Sequence, residues 1–185
     1  QTWFDKYFGR THFNSLKKFR SLNPDLSFKI YTDQDIDKYM ENNWKNNDIY
    51  NVFKNSLIGP LKTDIFRYCV LYDRGGYYFD ISRGCKIPLN KLHDQDTNMI
   101  ISYEDNYPFY KGKVFENPKL AILNFTGPGM YTNVMRNYLS QYGLNGVKEL
   151  DIKFDDQGIF KIKGSQFRYH KIKSYTYLKN AKICD

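Results

Sequence analysis

Three charged side chains near the middle of the chain have residue types and a spacing that suit a ligand site. Asp64 and Arg67 are three residues apart within apolar spacing typical of a helix, so they share one helix face. Asp80 follows thirteen residues after Arg67. Carboxylates offer the hard oxygen atoms that divalent cations prefer. Taken alone, Asp64 and Arg67 favour an exposed ion pair, which contributes about 0–1 kcal/mol.

The elements that must position these residues favour a ligand site. Pro60 is compatible with the first turn of a helix, and apolar residues recur through Leu71. Gly75-Gly76 predicts the end of that helix, and residues 77–81 are rich in strand-favouring types. Asp80 would then end a strand, which is where open α/β sheets bind their ligands.

The rest of the chain predicts a mixed α/β domain. Helical spacing is found at residues 13–19, 34–40, 49–55 and 130–142, with Thr32 or Asp33 as a cap for the second of these helices. Strands are predicted at residues 26–31, 98–103 and 120–125, with further strands and turns after Asp151. No repeat or linker divides the sequence, so residues 1–185 are interpreted as one domain.

Composition and charge exclude several classes of protein. No stretch approaches the roughly 18 consecutive apolar residues of a membrane-spanning helix. The net charge of +8 favours anionic partners such as phosphorylated small molecules, charged glycans or a membrane surface. No basic tail or arginine-rich helix is apparent, which argues against nucleic acid. Three cysteines without a CxxC pair predict neither a zinc ribbon nor a disulfide framework, and Cys69 is expected in the core.

The block that contains the charged trio resembles the sugar-binding region of DXD-containing glycosyltransferases. This group includes glycosyltransferase family 32 and, more distantly, the glucosylating clostridial toxins. The resemblance is strongest over residues 61–68, 71–72 and 75–82. Weaker matches extend it over roughly residues 1–140, at Gln1-Thr2-Trp3, Asn23-Pro24, Ile30-Tyr31-Thr32-Asp33, Thr126-Gly127-Pro128 and Thr132.

The resemblance implies a GT-A-like fold, a Rossmann-type nucleotide-sugar-binding domain with a mixed sheet flanked by helices. Its first strand would be incomplete upstream of residue 1. Asp64 would bind donor hydroxyls, Arg67 would bind the sugar or hold Asp64, and Trp3 would stack on the nucleobase. The implied donor-binding set also includes Asp80, Gly76, Gly127, Lys171 and Ser174.

The resemblance also implies a divalent cation, Mn²⁺ or Mg²⁺, on the donor diphosphate. Asp80 and Ser82 occupy the two motif positions that would bind it, and His170 is a further candidate ligand. Ser82 departs from the family pattern, which has a second Asp there. Three outcomes stay open: a metal held by Asp80 with other help, weak metal dependence, or an inactive homologue.

The implied activity is transfer of a sugar from a UDP- or GDP-sugar to a glycan or glycoconjugate, with retention of configuration. The alternative is a weak or inactive homologue that binds a sugar nucleotide or a glycan. Peripheral membrane association is compatible with the charge. The sequence favours a cytoplasmic location, with the Golgi lumen as the alternative if an upstream anchor was removed.

Overall fold

A computed structural model of the chain describes residues 2–3, 10–102, 122, 125–150 and 158–162. Within these residues the fold is mixed α/β, as predicted, with five α-helices and six short strands. In chain order the elements are β1 (Thr2–Trp3), α1 (Arg10–Leu22), β2 (Tyr31–Thr32), α2 (Asp33–Trp44), α3 (Asp48–Asn55), α4 (Gly59–Arg74), β3 (Arg83–Cys85), a 3-10 turn (Leu89–Lys91), β4 (Met99–Ser102), α5 (Pro128–Tyr142), β5 (Val147–Leu150) and β6 (Ile159–Lys161).

The described strands form three pairs. β1 pairs in parallel with β2, and β4 pairs in parallel with β5. β3 and β6 are antiparallel, with Gly84 opposite Phe160. A Cβ at position 84 would lie 2.5 Å from the hydroxyl oxygen of Ser15 on α1, so glycine allows helix, strand and the Phe160 ring to meet closely.

The described residues form two hydrophobic cores, and the first lies between β2 and helices α2, α3 and α4. Phe66 is fully buried at its centre, and the ring centres of Tyr31 and Tyr39 lie 4.9 and 5.5 Å from it in edge-on contacts. Asp73 on α4 accepts hydrogen bonds from the Tyr39 hydroxyl and from the indole N–H of Trp44, both on α2. Apolar packing and two polar contacts therefore hold α2 against α4.

The second core joins α1 to β3 and the 3-10 turn. Its buried members are Phe19, Cys85, Leu89, Leu92 and Ile159. Phe79 and Phe28 pack edge-on against Phe19, with ring centres 5.1 and 5.4 Å away. The side-chain amide of Asn23 donates to the carbonyl of Phe19, and its oxygen accepts from the N–H of Leu89. This buried asparagine fixes the end of α1 against the 3-10 turn.

Several elements form where local sequence signals predicted them. Thr32 caps α2 in a reciprocal capping box with Asp35, as the polar residues there predicted. Helices α1, α3 and α5 cover the ranges expected from apolar spacing, and Cys69 is buried in the first core. The strand predicted over residues 98–103 is β4, and part of the tail forms β6.

Three strand predictions were wrong. Residues 26–30 are exposed and irregular, and only Tyr31–Thr32 pair. Residues 77–80 form no strand, and β3 begins later, at Arg83. Ile122 and Phe125 are helical within the range predicted as a strand. In these two segments, Phe28 and Phe79 pack on Phe19 of α1 and Tyr78 packs on Arg67 of α4, while Leu26 and Ile30 stay exposed.

No helix among the described residues is long and apolar enough to cross a membrane.

Candidate functional site

Helix α4 positions the first two residues of the predicted site. Pro60 lies in its first turn. Gly75 ends the helix at a positive φ of 63°, and its N–H donates to the carbonyl of Leu71 at 2.8 Å. Asp64 lies on the buried side of this helix and is only 9% exposed. The packing of α4 therefore removes one carboxylate almost completely from water.

Arg67 joins two carboxylates that are distant in the sequence. Its Nη2 atom lies 3.1 Å from Oδ1 of Asp64 and 3.5 Å from Oδ1 of Asp80. The exposed fraction of the side chain rises from 12% for Asp64 through 29% for Arg67 to 46% for Asp80. The three groups thus form a charged row that runs from the core to the surface, and all three predicted residues meet.

Asp80 reaches Arg67 by a route that differs from the prediction. Gly75 and Gly76 have φ values of 63° and 81°, which glycine adopts without strain, and they turn the chain after α4. Asp80 does not end a strand. Its carbonyl accepts from the N–H of Arg83 at 2.7 Å in a turn that leads into β3. The carboxylate therefore sits before a strand, on a turn held between α4 and the second core.

Thr126 connects a distant segment of the chain to Asp64. Its hydroxyl lies 3.3 Å from Oδ2 of Asp64 and 3.2 Å from the carbonyl of Ile122, so its one proton is shared between two acceptors. The Tyr68 hydroxyl donates to the Thr126 carbonyl at 3.0 Å, and the Tyr68 ring stacks on Tyr131 with centres 6.2 Å apart. These contacts fix the start of α5 beside the buried carboxylate.

The electrostatics of the trio follow from burial and proximity. Burial raises the pKa of Asp64 to about 6, although Arg67 and the Thr126 hydroxyl act to lower it. Asp80 adds a smaller increase by repulsion. Burial acts to lower the pKa of Arg67, but Asp80 and Asp64 outweigh it and the pKa is raised. Arg67 is therefore a permanent cation, whereas Asp64 changes charge close to neutral pH.

Tyr78 is a residue of the site that sequence reasoning did not single out. The guanidinium carbon of Arg67 lies 5.0 Å from the centre of the Tyr78 ring, in a cation–π contact. Burial raises the pKa of Tyr78, so its hydroxyl stays protonated. This hydroxyl and Nε of Arg67 are buried, and neither makes a hydrogen bond within the described part of the chain. Buried polar atoms of this kind require a partner.

The signals for Tyr78 and Thr126 were present in the sequence. Tyr78 lies within residues 75–82, and Thr126 begins the Thr-Gly-Pro segment, so the resemblance named both segments without giving either residue a role. Nothing in the spacing of 62 residues shows that Thr126 contacts Asp64.

The other predicted residues have varied positions. Gly76 forms the turn after α4, and Gly127 is the N-cap of α5, next to Thr126. Ser82 is half-buried, and its carbonyl accepts from the N–H of Ile162 at 2.7 Å. Trp3 pairs through its backbone in β1, but its side chain lies outside the described structure. The described residues also do not include His170, Lys171 and Ser174.

The donor groups around Asp80 suit a hard divalent cation in chemical type. The Asp80 carboxylate is nearly half exposed, and the Ser82 hydroxyl follows two residues later in the same turn. Within the ranges that the structure describes, no three His, Cys, Asp or Glu side chains converge as a complete metal site. Asp80 and Ser82 can therefore supply part of a ligand set.

Comparison with known proteins agrees with the resemblance. Residues 9–99 match the family model described as glycosyltransferase sugar-binding region containing DXD motif. That range includes Asp64, Arg67, Tyr78 and Asp80. The resemblance to DXD-containing glycosyltransferases is thereby confirmed.

A curated relative extends the match, but only over part of its length. The chain is 31% identical over 107 residues to inositol phosphoceramide mannosyltransferase 1 of Schizosaccharomyces pombe (strain 972 / ATCC 24843). The matched part is 56% of this chain and 33% of the relative, so the chain spans about a third of the relative's length. No solved structure matches.

Proposed function

We propose that this chain, whose residues 9–99 match the sugar-binding region of DXD-containing glycosyltransferases, transfers a hexose from a nucleotide-sugar donor to a glycan or glycoconjugate. The observation that carries this proposal is the charged row of Asp64, Arg67 and Asp80. Arg67 is a permanent cation, and the buried carboxylate of Asp64 and the half-exposed carboxylate of Asp80 both lie within hydrogen-bonding distance of it. Such a row can bind hydroxyl groups at one end and, through a cation held by Asp80, an anionic leaving group at the other.

Each residue of the row has a distinct proposed role. Asp64 accepts hydrogen bonds from donor hydroxyls once it is ionised. Arg67 holds Asp64 in place by charge and contributes the unpaired Nε–H to the donor. Asp80, at the exposed end, would hold the cation that binds the diphosphate. We further propose a GT-A-like arrangement, which the two parallel strand pairs and their flanking helices support.

A divalent cation is part of this proposal. Asp80 and Ser82 would hold it, and His170 is proposed as a further ligand. When bound, such a cation stabilises the negative charge that develops on a leaving diphosphate. Ser82 brings no charge, so we expect weaker metal affinity than two carboxylates would give. A Ser82→Asp variant should bind Mn²⁺ more tightly.

The identity of donor and acceptor is also proposed. The curated relative is named for mannosyl transfer to inositol phosphoceramide. We therefore place GDP-mannose first among the UDP- and GDP-sugars to be tested, and a phosphoinositol lipid first among acceptors. Retention of the anomeric configuration is proposed with them.

The test is donor hydrolysis across a panel of UDP- and GDP-sugars with Mn²⁺, with Mg²⁺ and with EDTA. One donor should be hydrolysed, and Asp80→Asn should lower that rate by about 100-fold or more, because it removes the carboxylate that would hold the cation on the leaving diphosphate. Asp37→Asn is the matched control, because Asp37 on α2 is also an ion-paired carboxylate, bound to Lys62, but lies outside the charged row. Equal rates for both variants would contradict the proposed role of Asp80.

Ser82 supports a second candidate, a sugar-nucleotide-binding homologue without turnover. In that case calorimetry shows donor binding by the folded chain, while no donor is hydrolysed with either metal. Activity gained by Ser82→Asp would identify an enzyme that lost its second motif carboxylate.

A further inference from the structure

Helix α1 presents an exposed basic face. Arg10, Phe13, Lys17 and Arg20 are spaced by three, four and three residues, so they lie along one side of the helix. All four are exposed, and Phe13 is 58% exposed despite its apolar ring. The helix has no acidic residue. We call these four residues the α1 basic face.

The opposite side of α1 packs on the protein. His12 and Phe19 are buried there, and Phe19 belongs to the second core with Cys85 of β3. Because these residues pack on the protein, the basic face is held pointing away from the second core. Lys18 adds a fourth cation on the flank of the helix.

The charge of this face is not neutralised by the described part of the protein. The three ion pairs found there join Lys62 with Asp37 and Arg67 with two carboxylates. None involves a cation of α1. This concentration could not be predicted from composition, because lysines and arginines are spread along the chain and the division of α1 into a buried and a basic side depends on its packing.

We propose that the α1 basic face docks on an anionic lipid surface, with phosphate headgroups against Arg10, Lys17 and Arg20 and with Phe13 inserted between them. Charge complementarity is the main argument, since each Lys or Arg held near an anionic membrane contributes to binding. The exposed ring of Phe13 supplies the apolar contact typical of peripheral helices.

The neighbouring segment favours lipid over nucleic acid. Residues 24–30 follow α1 directly, and Leu26, Phe28 and Ile30 are 38%, 38% and 41% exposed. Phe28 packs on Phe19, so this segment is attached to α1. Leu26 and Ile30 have no flat face to stack on a base, but they suit the interface between headgroups and acyl chains.

The experiment measures co-sedimentation of the full chain with vesicles made of equal parts phosphatidylcholine and phosphatidylserine, an anionic lipid that is not a proposed acceptor, and with vesicles of phosphatidylcholine alone. The chain should bind the anionic vesicles more tightly. The double variant Lys17→Gln/Arg20→Gln should lower the partition coefficient by about 30-fold, roughly fivefold for each cation removed. Circular dichroism confirms that each variant is folded.

Matched controls separate this face from net charge. Lys38→Gln/Lys54→Gln removes the same charge from exposed positions on α2 and α3 and should retain nearly full binding. Phe13→Ala should weaken binding without any change in charge, whereas Tyr72→Ala removes an 84% exposed ring elsewhere and should not.

Several results would overturn the proposal. Equal losses in the two double variants would show that only net charge matters. Equal binding to both kinds of vesicle would exclude headgroup recognition. Binding to a DNA duplex that depends on Lys17 and Arg20, without vesicle binding, would make the face a nucleic-acid surface. None of these measurements requires transferase activity, so the proposal stands or fails separately from the proposed reaction.

Discussion

Asp64 is the residue whose ionisation most directly affects the proposed reaction. Burial raises its pKa to about 6, and only the ionised form accepts hydrogen bonds through both oxygens. We expect kcat/KM for donor hydrolysis to fall as the pH decreases through about 6 and to level off above it. A pH–rate profile of the active donor checks this. A profile that stays flat across that range would remove Asp64 from the binding of donor hydroxyls.

The raised pKa of Asp64 affects stability in the opposite direction: the free energy of unfolding decreases as the pH rises. Between pH 3.8 and about 6, folded Asp64 retains a proton that the unfolded chain has released. The contribution of this group to the free energy of unfolding is therefore complete below pH 3.8 and lost as the pH rises through about 6. Urea unfolding of the natural chain and of Asp64→Asn, compared across this range, should show a falling difference between the two.

Thr126 is a positioning residue for Asp64. Thr126→Val keeps the shape of the side chain but removes the donor that lies 3.3 Å from Oδ2 of Asp64. We expect kcat/KM to decrease by about 2- to 10-fold, the value of one hydrogen bond, and the acid limb of the pH profile to move to higher pH. Thr126→Ser retains the hydroxyl and should restore both. An unmoved acid limb in Thr126→Val would limit Thr126 to a structural role.

At the scale of elements, the start of α2 depends on one reciprocal contact. The Thr32 hydroxyl accepts from the N–H of Asp35 at 3.2 Å, and the Thr32 N–H donates to the Asp35 carboxylate at 2.9 Å. Thr32→Ala should lower the free energy of unfolding by about 1 kcal/mol, and Thr32→Ser should recover most of it. Urea denaturation measures both. Equal stability of the two variants would mean that the cap contributes little here.

Helices were predicted well because their signals are local. Apolar spacing, Pro60 and Gly75 define α4, and Thr32 defines the start of α2. Each of these signals lies within the helix that it defines or next to its end. Strands were predicted less well because their pairing partners lie far away in the sequence. Residues 77–80 have the composition of a strand but do not pair. Instead, the ring of Tyr78 packs on Arg67 and the ring of Phe79 packs on Phe19.

The site shows the same division between local and distant signals. Asp64 and Arg67 could be placed together from helical spacing, and the motif brought in Asp80. The contact between Thr126 and Asp64 could not be predicted, because it depends on how α5 docks through the stack of Tyr68 on Tyr131.

At the scale of the whole molecule, stability depends on the cores, of which the described residues form two. Phe66 is fully buried in the first core and contacts Tyr31 and Tyr39. Phe66→Ala should lower the free energy of unfolding by about 3–5 kcal/mol, because it leaves a cavity that rigid neighbours cannot fill. Tyr72→Ala, at an 84% exposed ring, should change it by less than about 0.5 kcal/mol. A small effect of Phe66→Ala in urea denaturation would show that this core repacks.

The contact between Trp44 and Asp73 has a practical consequence for such measurements. The chain has two tryptophans, Trp3 and Trp44, so a Trp3→Phe variant contains a single indole fluorophore. That fluorophore is half-buried at the junction of α2 and α4, with its N–H 2.9 Å from a carboxylate. Separation of the two helices hydrates the indole and removes the nearby charge, and both changes alter its emission spectrum. Fluorescence of this variant therefore follows the opening of the helical layer that carries Asp64 and Arg67, without any attached dye.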